Sequence, residues 1–121
     1  PLYSSAASDV YKRQLLILDR LVIHLKQSGD YSIANQYIQR AIELEPWRER
    51  SHRMKMRILA LGGNSGAAVR QYETCRQILA AELGIEPSSK TKNLMEQIRL
   101  GWVLSLSNLE DEYRLIEPFT V

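Results

Sequence analysis

Four residue pairs recur at a spacing of 34: Gly29 with Gly63, Asp30 with Asn64, Ala34 with Ala68, and Ala41 with Cys75. Glycine followed by Asp or Asn is a helix stop joined directly to a helix start. The glycine adopts the left-handed conformation that ends one helix, and the short polar side chain can take up the amides that open the next. The small residues beyond it sit where two helices can cross closely. Self-similarity at this period describes one helix-turn-helix per repeat, a unit that cannot bury its apolar face alone and must stack on a neighbour. No alternating run and no hairpin turn between two such runs suggests strands.

Hydrophobic periodicity divides the chain into five helices. Leu15 to Gln27 has Leu18, Leu21, Val22 and Leu25 on its apolar face, with Asp19, Arg20, Lys26 and Gln27 expected in water. Ser28-Gly29-Asp30 closes it, and the Asp30 carboxylate is expected to cap a helix from Tyr31 to Glu45. That helix buries Ile33 or Ala34, together with Tyr37, Ile38, Ala41, Ile42 and Leu44. Pro46 ends it, and Trp47 to Leu61 follows with Met54, Ile58, Leu59 and Leu61 inward. After Gly62-Gly63-Asn64-Ser65-Gly66, a longer helix runs from about Ala67. Its stripe of Tyr72, Cys75, Ile78, Leu79 and Leu83 stops at Gly84; Ile85 is expected to fold back on the last turn, and Pro87 blocks resumption. Ser88-Ser89 caps a fifth helix, Lys90 to Leu100, with Leu94, Ile98 and Met95 inward.

The two ends read differently. Asp9 to Gln14, DVYKRQ, resembles the translation of a transposon-end sequencing adapter, and the PLYSSAAS before it has no periodicity. Residues 1–14 are therefore expected to be a non-native leader, with further native protein upstream; a short natural helix from Asp9 joining Leu15 is the other reading. Residues 15–100 form the domain. Residues 101–121 mix Trp102, Val103, Leu104 and Leu106 with an acidic SNLEDEY, and are expected to be a linker or short helix toward a further domain.

The 34-residue period, the leucine positions of the first helix and Pro46 as closing proline resemble the tetratricopeptide pattern. The second repeat departs from it: His52 and Lys55 take positions usually apolar, and its closing proline arrives late, at Pro87. That departure is itself distinctive. A proline followed by Arg48 and His52, a leucine-rich helix ending at a glycine turn, then AAVRQYETCR, ELGIEP, Ser-Ser-x-Thr and a last helix with Leu94 and Ile98 resemble the bacterial transcriptional activator domain, the helical module of SARP-type regulators. The resemblance extends back through GDYSIANQYIQRAIELEP and covers residues 15–99. It implies a winged-helix DNA-binding domain upstream, against which the module packs, and a role in dimerisation or contact with the transcription machinery. DNA is then met only through that other domain. In many members an ATPase or more repeats follow.

Composition excludes several functions. A net charge of +2 is too balanced to signal nucleic acid, and the single cysteine, Cys75, rules out an internal disulfide and fits a reducing, cytoplasmic setting. No run is long and apolar enough for a membrane span. His24, His52 and Cys75 are too scattered for a metal site, so no metal or cofactor is expected. GGNSG lacks the lysine of a phosphate loop, and no nucleophile motif or carboxylate pair is present; no catalytic residue and no enzyme activity are expected. One patch stands out. RERSHRMKMR places Arg50, Arg53 and Arg57 along one helix face beside Arg48 and His52, as candidate contacts for a partner or a phosphate. Repeat geometry suggests a partner groove including Arg20, His24, His52, Lys55 and Leu59.

The expected protein is thus all-α, an α-α superhelix of tetratricopeptide-like antiparallel helix pairs with about five helices and a C-terminal tail. Its expected role is that of a protein-interaction module of a bacterial transcriptional regulator. The alternatives are a free-standing tetratricopeptide scaffold and a fragment of a multidomain signalling ATPase.

Overall fold

The structure is a computed structural model that describes residues 2–101. It contains five helices, α1 (Leu2–Gln27), α2 (Tyr31–Leu44), α3 (Glu49–Leu61), α4 (Ser65–Leu83) and α5 (Ser89–Arg99), and no strand among the described residues. Helix α1 pairs with α2, α3 pairs with α4, α2 packs on α3, and α5 lies against both α4 and α3. This is the expected all-α stack of antiparallel pairs. The tail expected at residues 102–121 lies outside the described residues.

The repeat is visible in the backbone. Gly29 and Gly63 have φ of 80° and 88°. At the first turn the Gly29 amide donates to Lys26 O and the Asp30 amide to Leu25 O; at the second, Gly63 donates to Ala60 O and Asn64 to Leu59 O. Both are the same paired closure of a helix C-terminus, in which a left-handed residue turns two amides back onto orphan carbonyls. The caps differ. Asn64 Oδ1 accepts from the Ala67 amide at 3.1 Å. Asp30 makes no side-chain cap, contrary to expectation, and only its carbonyl enters the helix, accepting from Ala34.

Two clusters form the core. The first joins α1, α2 and α3 through Leu15, Val22, Ala34, Ile38, Ala41, Met54 and Ile58. The second joins α3, α4 and α5 through Met56, Ala60, Ala68, Leu94 and Ile98. Ala34 and Ala68, one repeat apart, occupy matching places in the two clusters, and both are fully buried. Helix α3 contributes to both and is the shared wall of the stack.

Several side chains depart from the sequence expectation. Asp19 and Lys26, expected in water, are 1% and 7% exposed, and the Arg48 guanidinium lies against Asp19. Ala34, not Ile33, is the buried member of its pair. Leu79 is buried, yet Leu83 is 51% exposed and Ile85 50%. Helix α4 has 19 residues against 13 in α3, so its last turn extends past its partner. Gly84 still terminates it at φ 64°, and the Ile85 amide reaches Leu79 O at 3.3 Å, but the Ile85 side chain stays in solvent. Finally, α1 begins at Leu2 rather than Leu15, and Tyr11 packs half-buried against the first cluster. Residues 2–14 hold neither glycine nor proline to interrupt a helix. This bears on their conformation and not on their origin.

Candidate regulatory interface

The basic run at the start of α3 does not form an exposed stripe. Its side chains diverge, and each reaches a different element. Arg48, the residue before the helix, donates through Nη1 to Asp19 Oδ1 at 3.0 Å and to Ser51 Oγ at 2.9 Å, with its Nη2 on Asp19 Oδ2. This two-pronged pair ties α3 to the middle of α1. Bidentate guanidinium–carboxylate geometry fixes orientation as well as contact. Lys55 Nζ donates to Gln39 Oε1 on α2. Arg53, 8% exposed, donates to Thr91 Oγ1 on α5 at 3.0 Å and pairs with Glu49 at 3.5 Å.

His52 is fully buried. Its Nε2 lies 2.6 Å from Pro46 O, and its Nδ1 lies 2.8 Å from Gln71 Nε2 on α4. A carbonyl can only accept, so Nε2 carries the proton and Nδ1 accepts from the Gln71 amide. Both ring nitrogens are therefore satisfied by the neutral form. Burial lowers the pKa of His52 below its ordinary value, and Lys55 acts in the same direction, against the Pro46 carbonyl and Glu49.

Glu49 completes the arrangement. Its Oε1 accepts from the Ser88 amide at 2.9 Å, and its Oε2 accepts from Ser88 Oγ at 2.7 Å and from Thr91 Oγ1 at 3.0 Å. Ser88 is the N-cap of α5, but its own hydroxyl makes no cap bond because it serves Glu49. In a capping box an acidic residue within the helix reaches back to the N-cap amide. Here that carboxylate comes from α3, across the interface, and also faces the positive end of α5. Burial opposes the charge on Glu49, but the Ser88 hydroxyl and amide, the Thr91 hydroxyl and Arg53 together hold its pKa below the usual value. Nearby, Cys75 is buried, and desolvation, reinforced by Glu49, pushes its thiol up to about 12. It behaves as a small apolar group and not as a thiolate.

Of the five candidate contact residues, Arg48, His52 and Arg53 bind other elements of the fold as described, and all five, Arg50 and Arg57 included, are buried or half-buried. The groove suggested by repeat geometry is not assembled. His52 and Lys55 point toward α4 and α2, whereas Arg20 and His24 are exposed on α1. Asp19, Glu49, Gln71, Ser88 and Thr91 were not singled out from sequence as partners of the basic run. The Ser-Ser-x-Thr that follows ELGIEP was the available signal, since it supplies the two hydroxyls that hold Glu49. Among the described residues, no three His, Cys, Asp or Glu side chains are grouped to hold a metal ion. None of the described helices is long and apolar enough to cross a membrane.

A different surface is open to solvent. On α1, Val10, Leu16 and Ile17 are 54%, 50% and 64% exposed. Gln14, Ile17 and Leu18 face Arg40 and Leu44 of α2 across a shallow groove of about 390 Å³.

The family model of the bacterial transcriptional activator domain matches residues 1–99. The chain belongs to this family. The match includes the whole α1–α5 stack and reaches beyond the residues 15–99 that carry the resemblance in sequence. No curated protein and no solved structure matches the chain significantly. As a bacterial transcriptional activator domain, the chain is a regulatory module of transcription, and the ELGIEP–Ser-Ser-x-Thr motif has a physical meaning within it. Gly84 stops α4, Pro87 is buried at the corner, and Ser88 and Thr91 lock the start of α5 onto Glu49.

Proposed function

We propose that this module acts by binding protein within a cytoplasmic transcriptional regulator, packing against the regulator's own winged-helix DNA-binding domain and supporting dimerisation or contact with the transcription machinery. DNA is met through that other domain. The observation that supports this reading is how the basic run is used. Arg48, His52, Arg53 and Lys55 make intramolecular bonds, which leaves little of the run for a phosphate backbone, while α1 exposes Val10, Leu16 and Ile17, the last lining the groove it shares with α2. Apolar side chains beside an open groove suit a protein neighbour.

The test has two arms. The module alone, mixed with duplex DNA at low salt, is expected to give no shift; a shift that Arg50→Glu abolishes would instead make α3 a phosphate-binding face. In the complete regulator, Ile17→Asp is expected to reduce activated transcription about tenfold or more, as loss of a central apolar anchor does in protein interfaces, with the isolated module's helicity unchanged. Unaltered transcription in that variant removes the α1–α2 surface from the reading.

A further inference from the structure

The first turn of α2 lies against the last turn of α3. A Cβ at Gly62 would stand 3.6 Å from Tyr31 Cβ and 3.3 Å from Ile58 O. Gly62 has an ordinary φ of −78°, so what it answers there is shortage of space and not a special conformation. One turn beyond Asn35 and Leu59, Lys55 Nζ joins the two helices again by donating to Gln39 Oε1. Beside the Gly62 contact is a pocket of about 220 Å³, lined by Tyr31, Ser32 and Asn35 of α2, by Leu59 and Gly62 of α3, and by Asn64.

Its polar groups are unevenly served. Asn35 Oδ1 is buried, yet nothing among the described residues donates to it. Buried polar atoms of this kind are in large majority paired, so a lone one calls for a partner from outside. Asn64 uses Oδ1 as the cap of α4, which leaves Nδ2 to donate. Asp30 places no side chain over the start of α2, so the first-turn amides near Ser32 are open as well.

The volume and the lining narrow the ligand. A water molecule takes up only about 30 Å³ of liquid, so one water bound to Asn35 leaves most of the pocket unfilled. The pocket is also smaller than the roughly 300 Å³ or more that encloses a drug-sized molecule, so a fitting ligand enters only in part. No charged side chain lines it, so neither an anion nor a cation is favoured. A neutral chain remains, with a donor and an acceptor close together and an apolar branch. One residue of extended polypeptide has this form, since its N–H and C=O point to the same side, as in the two-bond pairs of an antiparallel sheet.

We propose that this α2–α3 pocket is a docking site for a short extended peptide of a partner protein. One backbone N–H is given to Asn35 Oδ1, the carbonyl of the same residue accepts from Asn64 Nδ2, and an apolar side chain covers Leu59 and Tyr31. The pocket is separate from the α1–α2 groove, so its peptide and the domain met by that groove are independent.

The isotope-labelled full chain is titrated to millimolar concentration with blocked tripeptides, acetyl-alanyl-X-alanine amide, in which X is leucine, phenylalanine, aspartate or lysine. The leucine and phenylalanine peptides are expected to move the side-chain amide signals of Asn35 and Asn64 and the backbone signal of Gly62. The charged peptides should bind about tenfold more weakly, since their side chains would be desolvated without a counter-charge. Methylating the central nitrogen of the leucine peptide should also weaken it about tenfold, the effect of leaving a buried acceptor without its donor. Asn35→Leu should lose as much affinity without lowering the urea midpoint, because the oxygen it removes has no partner in the free protein. Asn64→Ser retains a capping oxygen but not Nδ2, so the fold should hold while affinity falls. Ile17→Asp should leave all these shifts unchanged. Absence of shifts with every peptide, or equal binding of the methylated peptide, overturns the proposal. So does a midpoint that falls in Asn35→Leu while affinity is kept, which would make trapped water the partner of Asn35 and its role one of folding alone. Shifts confined to the groove around Ile17 overturn it in favour of that surface.

Discussion

The two halves of the stack are held together by different means. Around α2 the packing is mainly apolar: Ile38 is fully buried in one cluster with Val22 of α1 and Met54 and Ile58 of α3, and polar staples such as Arg48–Asp19 and Lys55–Gln39 lie at the cluster's edge. Around α5 the apolar cluster is smaller, with Met56, Ala60 and Ala68 meeting Leu94 and Ile98. There the joint is made by Glu49, Arg53, Ser88 and Thr91, with His52 and Gln71 behind them. Apolar burial is non-directional and roughly proportional to area, whereas charge-assisted bonds are directional and depend on protonation. The first half should therefore respond to side-chain volume and the second to pH. An 11-residue helix with three buried side chains has little area with which to fix its own angle, and the hydrogen bonds supply that angle.

The largest effect is expected at the centre of the apolar half. Ile38→Ala removes a fully buried side chain from a site walled by three helices. It should cost about 2–5 kcal/mol, read as a shift of the urea midpoint with little change in slope. The loss should be nearly constant between neutral and mildly acidic pH. A strong pH dependence of that loss would contradict the division of labour between the halves.

The next effect is expected at the α3–α5 joint. Glu49→Gln keeps the shape but removes the charge and replaces one accepting oxygen with a donor that faces the Ser88 and Thr91 groups. It should cost about 1.5–3 kcal/mol, the range for hydrogen bonds to a charged group. Amide hydrogen exchange should rise in α5 while α2 keeps its protection. The folded-state pKa of Glu49 is lowered, so its contribution is present above the unfolded carboxylate value of about 4.5 and is lost as pH falls through the folded one. Acid should therefore loosen α5 before the first pair, and Glu49→Gln should remove that order. Uniform loosening of all five helices would show that the joint is not a separate unit.

The same contrast explains what could be read from the chain. The turns at Gly29, Gly63 and Gly84 were legible because a left-handed residue closes each helix, and glycine adopts that conformation at little cost. The apolar stripes of α2 and α5 were legible because burial tracks periodicity. Asp19 and Lys26 were misplaced because a buried polar flank leaves no apolar periodicity, and the group that lies against Asp19, Arg48, stands 29 positions away. Leu83 was misplaced because periodicity does not register that α3 is too short to cover it. The partners of the candidate contact residues were hidden for a different reason. A basic run is read from one strip of sequence, but its partners Asp19, Gln71, Ser88 and Thr91 lie 19 to 38 or more positions away, and nothing local pairs Arg48 with Asp19 or His52 with Gln71.

The smallest effect expected is also the sharpest test of polar control. Neutral His52 donates from Nε2 to Pro46 O and accepts at Nδ1 from Gln71. Protonation puts a second N–H against the Gln71 amide, inside a fully buried site. Burial lowers the folded-state pKa, so the unfolded chain binds the proton more readily than the folded one. The contribution of His52 is therefore complete above the unfolded value of about 6.5 and declines as pH falls from there toward the lowered folded value. Each unit of difference removes about 1.4 kcal/mol at most. His52→Gln offers an amide that can still donate to Pro46 O and accept from Gln71 without titrating. Its stability should be lower than the parent's at pH 7.5 yet flat between about pH 6.5 and 5, where the parent declines. His24, the other histidine, is exposed on α1. If the decline persists unchanged in His52→Gln, the buried ring is not its source, and the α3–α4 joint depends on packing as the first pair does.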